Sequence, residues 1–191
     1  MRKLKLLFLF VTICIANQSI AQKRGQALID SLITQLRNAK EDSNKVNLLN
    51  DICYAYLSMN PDEGIKYGME GLELAEKINW KKGIAAANSR IGINYGFGKS
   101  DYPKALEYYL KSLKLTEELG NKKGTAGNLH NIGAVYNVQS NYLKALEYYF
   151  KAVKMNKERG DKDFLARNFT AIGSVYNAQH DYPNDCDDRV D

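Results

Sequence analysis

The stretch "NLHNIGAVYNVQSNYLKALEYYFKAVK", residues 128–154, contains two apolar patterns with helical spacing. In its first half, Leu129, Ile132 and Tyr136 are three and four residues apart, and the same spacing resumes at Tyr142. Such spacing places apolar side chains on one face of an α-helix. The stretch therefore predicts two amphipathic helices, which we name helix A and helix B, joined by a short polar turn.

The sequence of this helix pair recurs along the chain. "NFTAIGSVYN" at 168–177 repeats "NLHNIGAVYN" forty residues later, and "DYPKALEYYLKSLK" begins forty residues before "NYLKALEYYFKAVK". Gly92 and Gly133 are 41 residues apart, and we assign the additional residue to the turn "GFGKSD" at 96–101. A fixed period of this size is typical of repeat proteins, with the helix pair as the repeated unit.

Small residues recur where helices A and B are expected to meet. Glycine in a helix interior costs about 1 kcal/mol relative to alanine, so its recurrence at Gly92, Gly133 and Gly173 predicts close backbone contact. Asp101 and Asn141 are suited to cap the B helices at their N-termini. The repeat therefore contains both packing signals and helix boundary signals.

These residues resemble the tetratricopeptide repeat signature, in which a glycine and a tyrosine on helix A face alanines and an aromatic residue on helix B. The resemblance implies an all-α fold, a right-handed α-solenoid of antiparallel helix pairs. Its first copy is degenerate, and its period exceeds the usual length of about 34 residues. The packing positions that match the signature are Gly92, Tyr95, Ala105, Tyr109, Gly133, Tyr136, Ala145, Tyr149, Ala152, Gly173 and Tyr176.

The resemblance also implies that a protein or peptide binds a concave groove lined by the A helices. Candidate groove residues lie off the packing stripe, and the alternative is that they form only the solvated side of each helix. We predict no carboxylate clamp, because only Arg90 and Arg167 offer comparable charge. The candidates are Asn50, Tyr54, Ser89, Arg90, Ile93, His130, Asn131, Ala134, Asn137, Thr170, Ser174 and Asn177.

The N-terminus has the pattern of a signal peptide in residues 1–21. "MRKLK" is cationic, "LLFLFVTICIA" is apolar, and Ser19 and Ala21 provide the small residues before a cleavage site. A membrane anchor is the alternative, but this apolar run is shorter than the roughly 20 residues that span a bilayer. A lipoprotein is disfavoured because Cys14 lies inside the run. We expect export to the periplasm or the extracellular space.

The remaining chain divides into three parts. Residues 22–44 form an N-terminal helix and linker, and residues 45–182 contain about three and a half repeats. Residues 183–191 form an irregular tail, since "DYPNDCDDRVD" begins like a B helix but places Asp185 at the alanine position. We expect this tail to be poorly ordered and to reflect truncation or a frame change. Its acids lack the glycine and the spacing of a calcium loop.

The bulk composition and the scarcity of chemistry-bearing residues narrow the function classes. The chain is 45% hydrophobic and 26% charged, and its net charge of +5 falls to +2 without residues 1–21. This small excess argues against a nucleic-acid surface. Neither His130 nor His180 has a partner at catalytic or metal-ligand spacing, and no phosphate-binding motif occurs. We therefore predict no enzyme activity, no cofactor, no metal and no small-molecule substrate.

Two aromatic and thiol features have a structural explanation. Base stacking is one interpretation of the doublet Tyr148-Tyr149, but Tyr149 falls at a packing position, as Tyr109 does in the preceding copy. Cys53 and Cys186 remain after cleavage, and two distant thiols make no disulfide framework. Cys53 lies among apolar residues, so we expect it to be buried.

Two functions remain for such a chain. The first is a helical-repeat scaffold that binds a protein or peptide. The second is the sensory region of a longer signalling protein, since exported arrays of this kind often precede a membrane helix and a histidine kinase, cyclase or DNA-binding domain. That second reading is implied by the resemblance alone, and a membrane is expected only if a longer chain supplies the span.

Overall fold

The computed structural model describes residues 23–181, and every regular element in that range is helical. The predicted signal peptide at 1–21 and the predicted tail at 183–191 lie outside the described residues. The all-α class is confirmed. The helices are α1 (residues 23–37), α2 (Ser43–Ala55), α3 (Pro61–Lys77), α4 (Lys81–Ile93), α5 (Tyr102–Glu118), α6 (Lys122–Val138), α7 (Tyr142–Arg159) and α8 (Lys162–Asp181).

The helices alternate between the two predicted types. Helices α2, α4, α6 and α8 have the A sequence, and α3, α5 and α7 have the B sequence. Each helix from α2 onwards packs against the next one in the chain, and α2 also packs against α4. The described part of the chain is therefore a row of stacked helix pairs, and the predicted helical-repeat architecture is confirmed.

Polar side chains fix where the helices begin. The Asp101 carboxylate accepts a hydrogen bond from the backbone N–H of Lys104, and the Asn141 side chain accepts one from Lys144. These bonds satisfy N–H groups that have no partner inside the helix. Three further caps are made in the same way by Asp42, Asn60 and Asn121.

The residue that lengthens one repeat lies inside a helix, which corrects the prediction that it lies in the turn. Residues Asn94–Gly98 continue α4 as a π-helix, whose wider turn accommodates one additional residue. At the start of this segment the buried Asn94 side chain contacts α2, where its amide donates to the Cys53 carbonyl oxygen at 2.9 Å. The longer repeat is thus tied to the preceding pair by a buried polar contact.

The A and B helices meet where a glycine faces a tyrosine ring. A Cβ added at Gly92 would lie 2.8 Å from the ring of Tyr109, and one at Gly133 would lie 2.8 Å from the ring of Tyr149. Both rings are buried in the core. The absence of a side chain on the A helix therefore provides the space that the aromatic ring of the B helix fills.

In the first helix pair the small residue lies on the B helix and the larger residue lies on the A helix. Helix α2 has Cys53 where α4 and α6 have glycine, and α3 has Gly68 at the close contact. A Cβ at Gly68 would lie 2.8 Å from Cys53 Sγ and 2.7 Å from Ile91 of α4. The degenerate copy therefore keeps the interhelical fit by moving the small residue to the B helix.

The first tyrosine of each Tyr-Tyr doublet on the B helices stacks outside the core. Tyr108 stacks on Tyr95 with ring centroids 5.6 Å apart, and Tyr148 stacks on Tyr136 at the same distance. Lysine ammonium groups lie over these rings, for example Lys111 over Tyr108 at 5.0 Å. These half-buried rings belong to the interface between the A and B helices. Their faces are covered by the neighbouring tyrosine rings and lysine ammonium groups.

Substituting Gly133 by alanine should lower the free energy of unfolding by about 1–3 kcal/mol, because the new methyl group would overlap the Tyr149 ring. Chemical denaturation monitored by circular dichroism measures this change. Gly127→Ala is the matched control on the same helix, since nothing lies within 4 Å of a Cβ there. That control should be neutral or stabilising by up to about 1 kcal/mol. Equal destabilisation by both variants would contradict the packing role of Gly133.

Candidate functional site

An open groove of about 570 Å³ lies between α4 and α6. We name it the α4–α6 groove. Its walls are small or polar residues of these two A helices, including Ala86 and Ser89 on α4 and Gly127 and Asn131 on α6. Phe164 of α8 lies at one side and provides an aromatic surface. The lack of bulk on the facing helices keeps the groove open enough for a polypeptide segment.

The charges that line the α4–α6 groove are all positive. Lys82, Arg90 and Lys123 line it, and no aspartate or glutamate is among its lining residues. None of these three cations forms an ion pair within residues 23–181, whereas Lys66, Lys111 and five other lysines do. The groove therefore has an unneutralised positive potential, which favours anionic groups.

Arg90 is held in a defined orientation at the groove edge. Its guanidinium carbon lies 4.5 Å from the centroid of the Tyr54 ring on α2. Arginine stacks on aromatic faces while its N–H groups remain available around the edge of the guanidinium plane. Tyr54 therefore positions a cation and leaves its hydrogen-bond donors free for a ligand.

The floor of the groove is a buried hydrogen-bond network that joins three helices. The Ser112 hydroxyl of α5 donates to the Ala85 carbonyl oxygen of α4 at 2.8 Å. The Ser112 hydroxyl oxygen in turn accepts a hydrogen bond from the Asn128 side-chain amide of α6 at 2.8 Å. Because serine both donates and accepts, this one side chain fixes the separation of the two groove walls.

The structure brings together only some of the predicted groove residues. Ser89, Arg90 and Asn131 line the α4–α6 groove, and Tyr54 contacts Arg90 from its own position beside α1. Four others are half-buried on α4 and α6, namely Ile93, His130, Ala134 and Asn137, and three are exposed on α8, namely Thr170, Ser174 and Asn177.

Several candidates are engaged within the protein. Asn50 is only 4% exposed and packs against α3 beside Gly71, so it is not a groove residue. His130 contacts the Asn168 side-chain oxygen at 2.8 Å, and its ring lies 5.3 Å from that of Tyr149. Asn50 is therefore buried away from a partner, whereas the half-buried His130 is hydrogen-bonded to the neighbouring helix α8.

The packing positions of α8 differ from their counterparts. Among the described residues, no atom lies within 4 Å of a Cβ placed on Gly173, and Tyr176 is 45% exposed. The chain that would follow as a B helix belongs to residues 182–191, which the structure does not describe. Within residues 23–181, the close glycine–tyrosine contact is therefore seen at Gly92 and Gly133 only.

Sequence reasoning did not identify Lys82, Lys123, Ser112 or Asn128 as site residues. Lys82 and Lys123 are 41 residues apart, which is also the spacing of Gly92 and Gly133. That shared period could have placed both lysines at one position of successive A helices. The Ser112–Asn128 pair gave no such signal, because Ala152 replaces the serine in the next repeat.

The one thiol in the described part of the chain is poorly reactive. Cys53 is buried, and burial raises its pKa from 9.0 to about 12. A thiol with so high a pKa contributes almost no nucleophilic thiolate near neutral pH. Within residues 23–181 no group of histidine, cysteine, aspartate and glutamate side chains is arranged to hold a metal ion.

The fold resembles several solved repeat structures. Aspartyl phosphate phosphatase F from Bacillus subtilis superposes with a TM-score of 0.71 at 17% identity, over 83% of this chain and 45% of that one. A signal transduction ATPase with a tetratricopeptide repeat sensor from Pyrococcus horikoshii gives 0.69 at 22% identity, over 82% and 25%. The chain thus spans less than half the length of either protein.

A third structure is repetitive throughout. The putative kinesin light chain of Podosopora anserina, with nearly identical tetratricopeptide-like repeats, gives a TM-score of 0.58 at 13% identity, over 84% of both chains. No protein-family model and no curated protein sequence matches the chain. At these identities the likeness concerns the fold alone, and that fold is the tetratricopeptide-like helical repeat. No helix among the described residues is long and apolar enough to cross a membrane.

The network at the groove floor should contribute measurably to stability. Ser112→Ala leaves the buried Asn128 amide without its partner, so we expect a loss of about 1–3 kcal/mol in the free energy of unfolding. Asn128→Ala removes the same bond from the other side. If the bond links the helices, the double variant should cost less than the sum of the two single changes, by about 1 kcal/mol. Strict additivity in urea unfolding would contradict that coupling.

Proposed function

We propose that the chain is a non-enzymatic helical-repeat scaffold that binds a protein or peptide partner in the α4–α6 groove. The observation that carries this proposal is a groove with three cations, no acidic lining residue and a polar floor. Such a groove suits a segment that carries carboxylate side chains. The partner we infer is therefore an acidic stretch of a protein, bound in extended or helical form.

The groove walls support this assignment through the distribution of their groups. Lys82 and Lys123 lie in the first turns of their helices, whereas Arg90 lies further along α4, so the cations are spread along the groove. A bound segment would meet Ser89 and Asn131 between them, and these can hydrogen-bond to its peptide groups. Charge complementarity of this kind increases association rate and selects against basic partners.

Phosphatase chemistry is not part of the proposal, although one structural neighbour is named a phosphatase. The α4–α6 groove has no histidine, cysteine, aspartate or glutamate among its lining residues. These are the side chains that most often serve as general bases or nucleophiles. The groove is therefore better suited to recognition than to catalysis.

A second proposal is supported by the likeness to a tetratricopeptide repeat sensor within a signal transduction ATPase. In this proposal the chain is the exported sensory region of a longer signalling protein, and partner binding in the groove is its input. The signal-peptide pattern at 1–21 supports export. Both proposals share the groove as the binding site, and they differ in what the bound state controls.

The first proposal is tested by panning the purified chain against a random peptide library displayed on phage. We expect enrichment of peptides rich in aspartate and glutamate. A variant with Lys82→Glu, Arg90→Glu and Lys123→Glu should bind those peptides about tenfold or more weakly, a loss of at least 1.4 kcal/mol. Isothermal titration with one synthetic enriched peptide measures the change.

The control carries the same change of net charge elsewhere on the surface. Lys114, Lys154 and Lys157 are exposed, form no ion pair within residues 23–181 and lie outside the groove, so their replacement by glutamate should leave peptide affinity unchanged. A second groove variant, with Lys82→Glu and Lys123→Glu only, keeps the Arg90–Tyr54 contact intact. Equal weakening by the groove and control variants would refute groove binding. Enriched peptides without acids would refute the acidic partner alone.

The second proposal is tested by sequencing the gene beyond codon 191 in all three frames. We expect another B-helix sequence related to "KALEYY", then an apolar run of about 20 residues and an output domain. A stop codon after Asp191, together with the absence of any further B-helix sequence in all three reading frames, would rule out the sensor proposal. That result would leave the scaffold proposal unaffected.

A further inference from the structure

The exposed faces of the B helices share an apolar residue at one repeat position. Met69 of α3, Leu110 of α5 and Phe150 of α7 are 43%, 48% and 49% exposed. They follow the repeat, since they are 41 and 40 residues apart. We name the surface formed by the exposed sides of α3, α5 and α7 the B-helix face. It lies outside the α4–α6 groove.

The three helices present this face side by side. The Tyr108 hydroxyl of α5 lies 3.6 Å from Met69 Sδ of α3, which places these helices next to each other. Helices α5 and α7 line one shallow groove, to which Glu117 and Lys151 both contribute. The apolar residues therefore form a row that crosses the three helices.

The net charge of the three helices that form the B-helix face changes sign along that row. Helix α3 carries five acidic and two basic residues, a net charge of −3. Helix α5 carries three of each, a net charge of zero, and α7 carries two acidic and five basic residues, a net charge of +3. The middle helix is therefore neutral between two edges of equal and opposite charge.

The unpaired charges at the two edges occupy matching positions. Glu73 and Glu76 follow Met69 by four and seven residues, and Lys154 and Lys157 follow Phe150 by four and seven. All four side chains are exposed, and none forms an ion pair within the described residues. Each edge thus has two unpaired charges, and those of α3 lie at the same positions along the helix axis as those of α7.

We propose that the B-helix face binds a second copy of this chain, in a dimer with twofold symmetry. A twofold axis that runs along α5, between the two copies, places α5 against its own counterpart and α3 against α7. Leu110 then meets Leu110 of the second copy, and Met69 meets Phe150. Because the rotation keeps the height along each helix, Glu73 and Glu76 face Lys154 and Lys157 at both edges.

The sign change is the reason to choose a second copy over another partner. A surface that is acidic at one edge, neutral at its centre and basic at the other becomes complementary to itself after this rotation. A uniformly charged partner would be repelled by one of the two edges. Since the groove lies elsewhere, the dimer is independent of the proposed peptide binding.

The central contact is tested first, by sedimentation velocity of the purified chain at increasing concentration. The wild-type chain should shift from monomer to dimer. Leu110→Glu should weaken association about tenfold or more, because the symmetry places two like charges together at each substitution. Val138→Glu is the matched control, since Val138 is 57% exposed on α6 and lies outside this face. It should leave association unchanged.

The edge contacts are tested by exchanging charges. One variant has Glu73→Lys and Glu76→Lys, and the other has Lys154→Glu and Lys157→Glu. Each alone should associate with itself about tenfold or more weakly, because both edges then carry like charges. The variant with all four changes should recover dimerisation, and an equimolar mixture of the two double variants should form a heterodimer.

A wild-type chain that stays monomeric at every concentration overturns the proposal and leaves the face to a different partner. Dimerisation that Leu110→Glu does not weaken, or that the four-residue variant fails to recover while retaining its helical circular dichroism, also overturns it.

Discussion

A close contact between a helix backbone and a buried tyrosine ring governs how the helices of this protein pack. At Gly133 the A helix has no side chain, and the Tyr149 ring of the B helix fills that space. This contact sets the separation of each helix pair, and the pair separation in turn determines how the next A helix packs. The first pair shows that the requirement is for complementary sizes, since Gly68 lies on the B helix and Cys53 on the A helix.

Buried polar contacts then fix the relative position of successive pairs. Asn94, the first residue of the π-helical segment that continues α4, donates from its side-chain amide to the Cys53 carbonyl oxygen of α2. Ser112 joins the walls of the α4–α6 groove through Ala85 and Asn128. Apolar packing alone allows helices to slide past one another, whereas a buried hydrogen bond is lost when its partners shift. These bonds therefore define the width and register of the groove.

Charged residues are distributed unevenly over the surface, and the net charge of the chain does not show this distribution. The whole chain has a modest net charge of +5, yet the α4–α6 groove is lined by cations alone. On the exposed sides of the B helices the charge runs from acidic at α3 to basic at α7. Equivalent positions of successive repeats lie next to one another on the surface. Differences in charge between the repeats at these positions therefore give the protein two surfaces with different charge.

The helix pairs, their boundaries and their period are predictable from the amino-acid sequence, since they depend on local spacing, on caps such as Asp101 and on recurring small residues. The same spacing pointed to Ser89, Arg90 and Asn131, which lie on one side of their helices. By contrast, the packing of the helices was needed to show that Asn50 is buried, that His130 is hydrogen-bonded within the protein, and that Lys82 and Lys123 share a groove. The helical period specifies the direction of a side chain around its own axis, but burial and neighbouring charges depend on what the adjacent helices bring to that position.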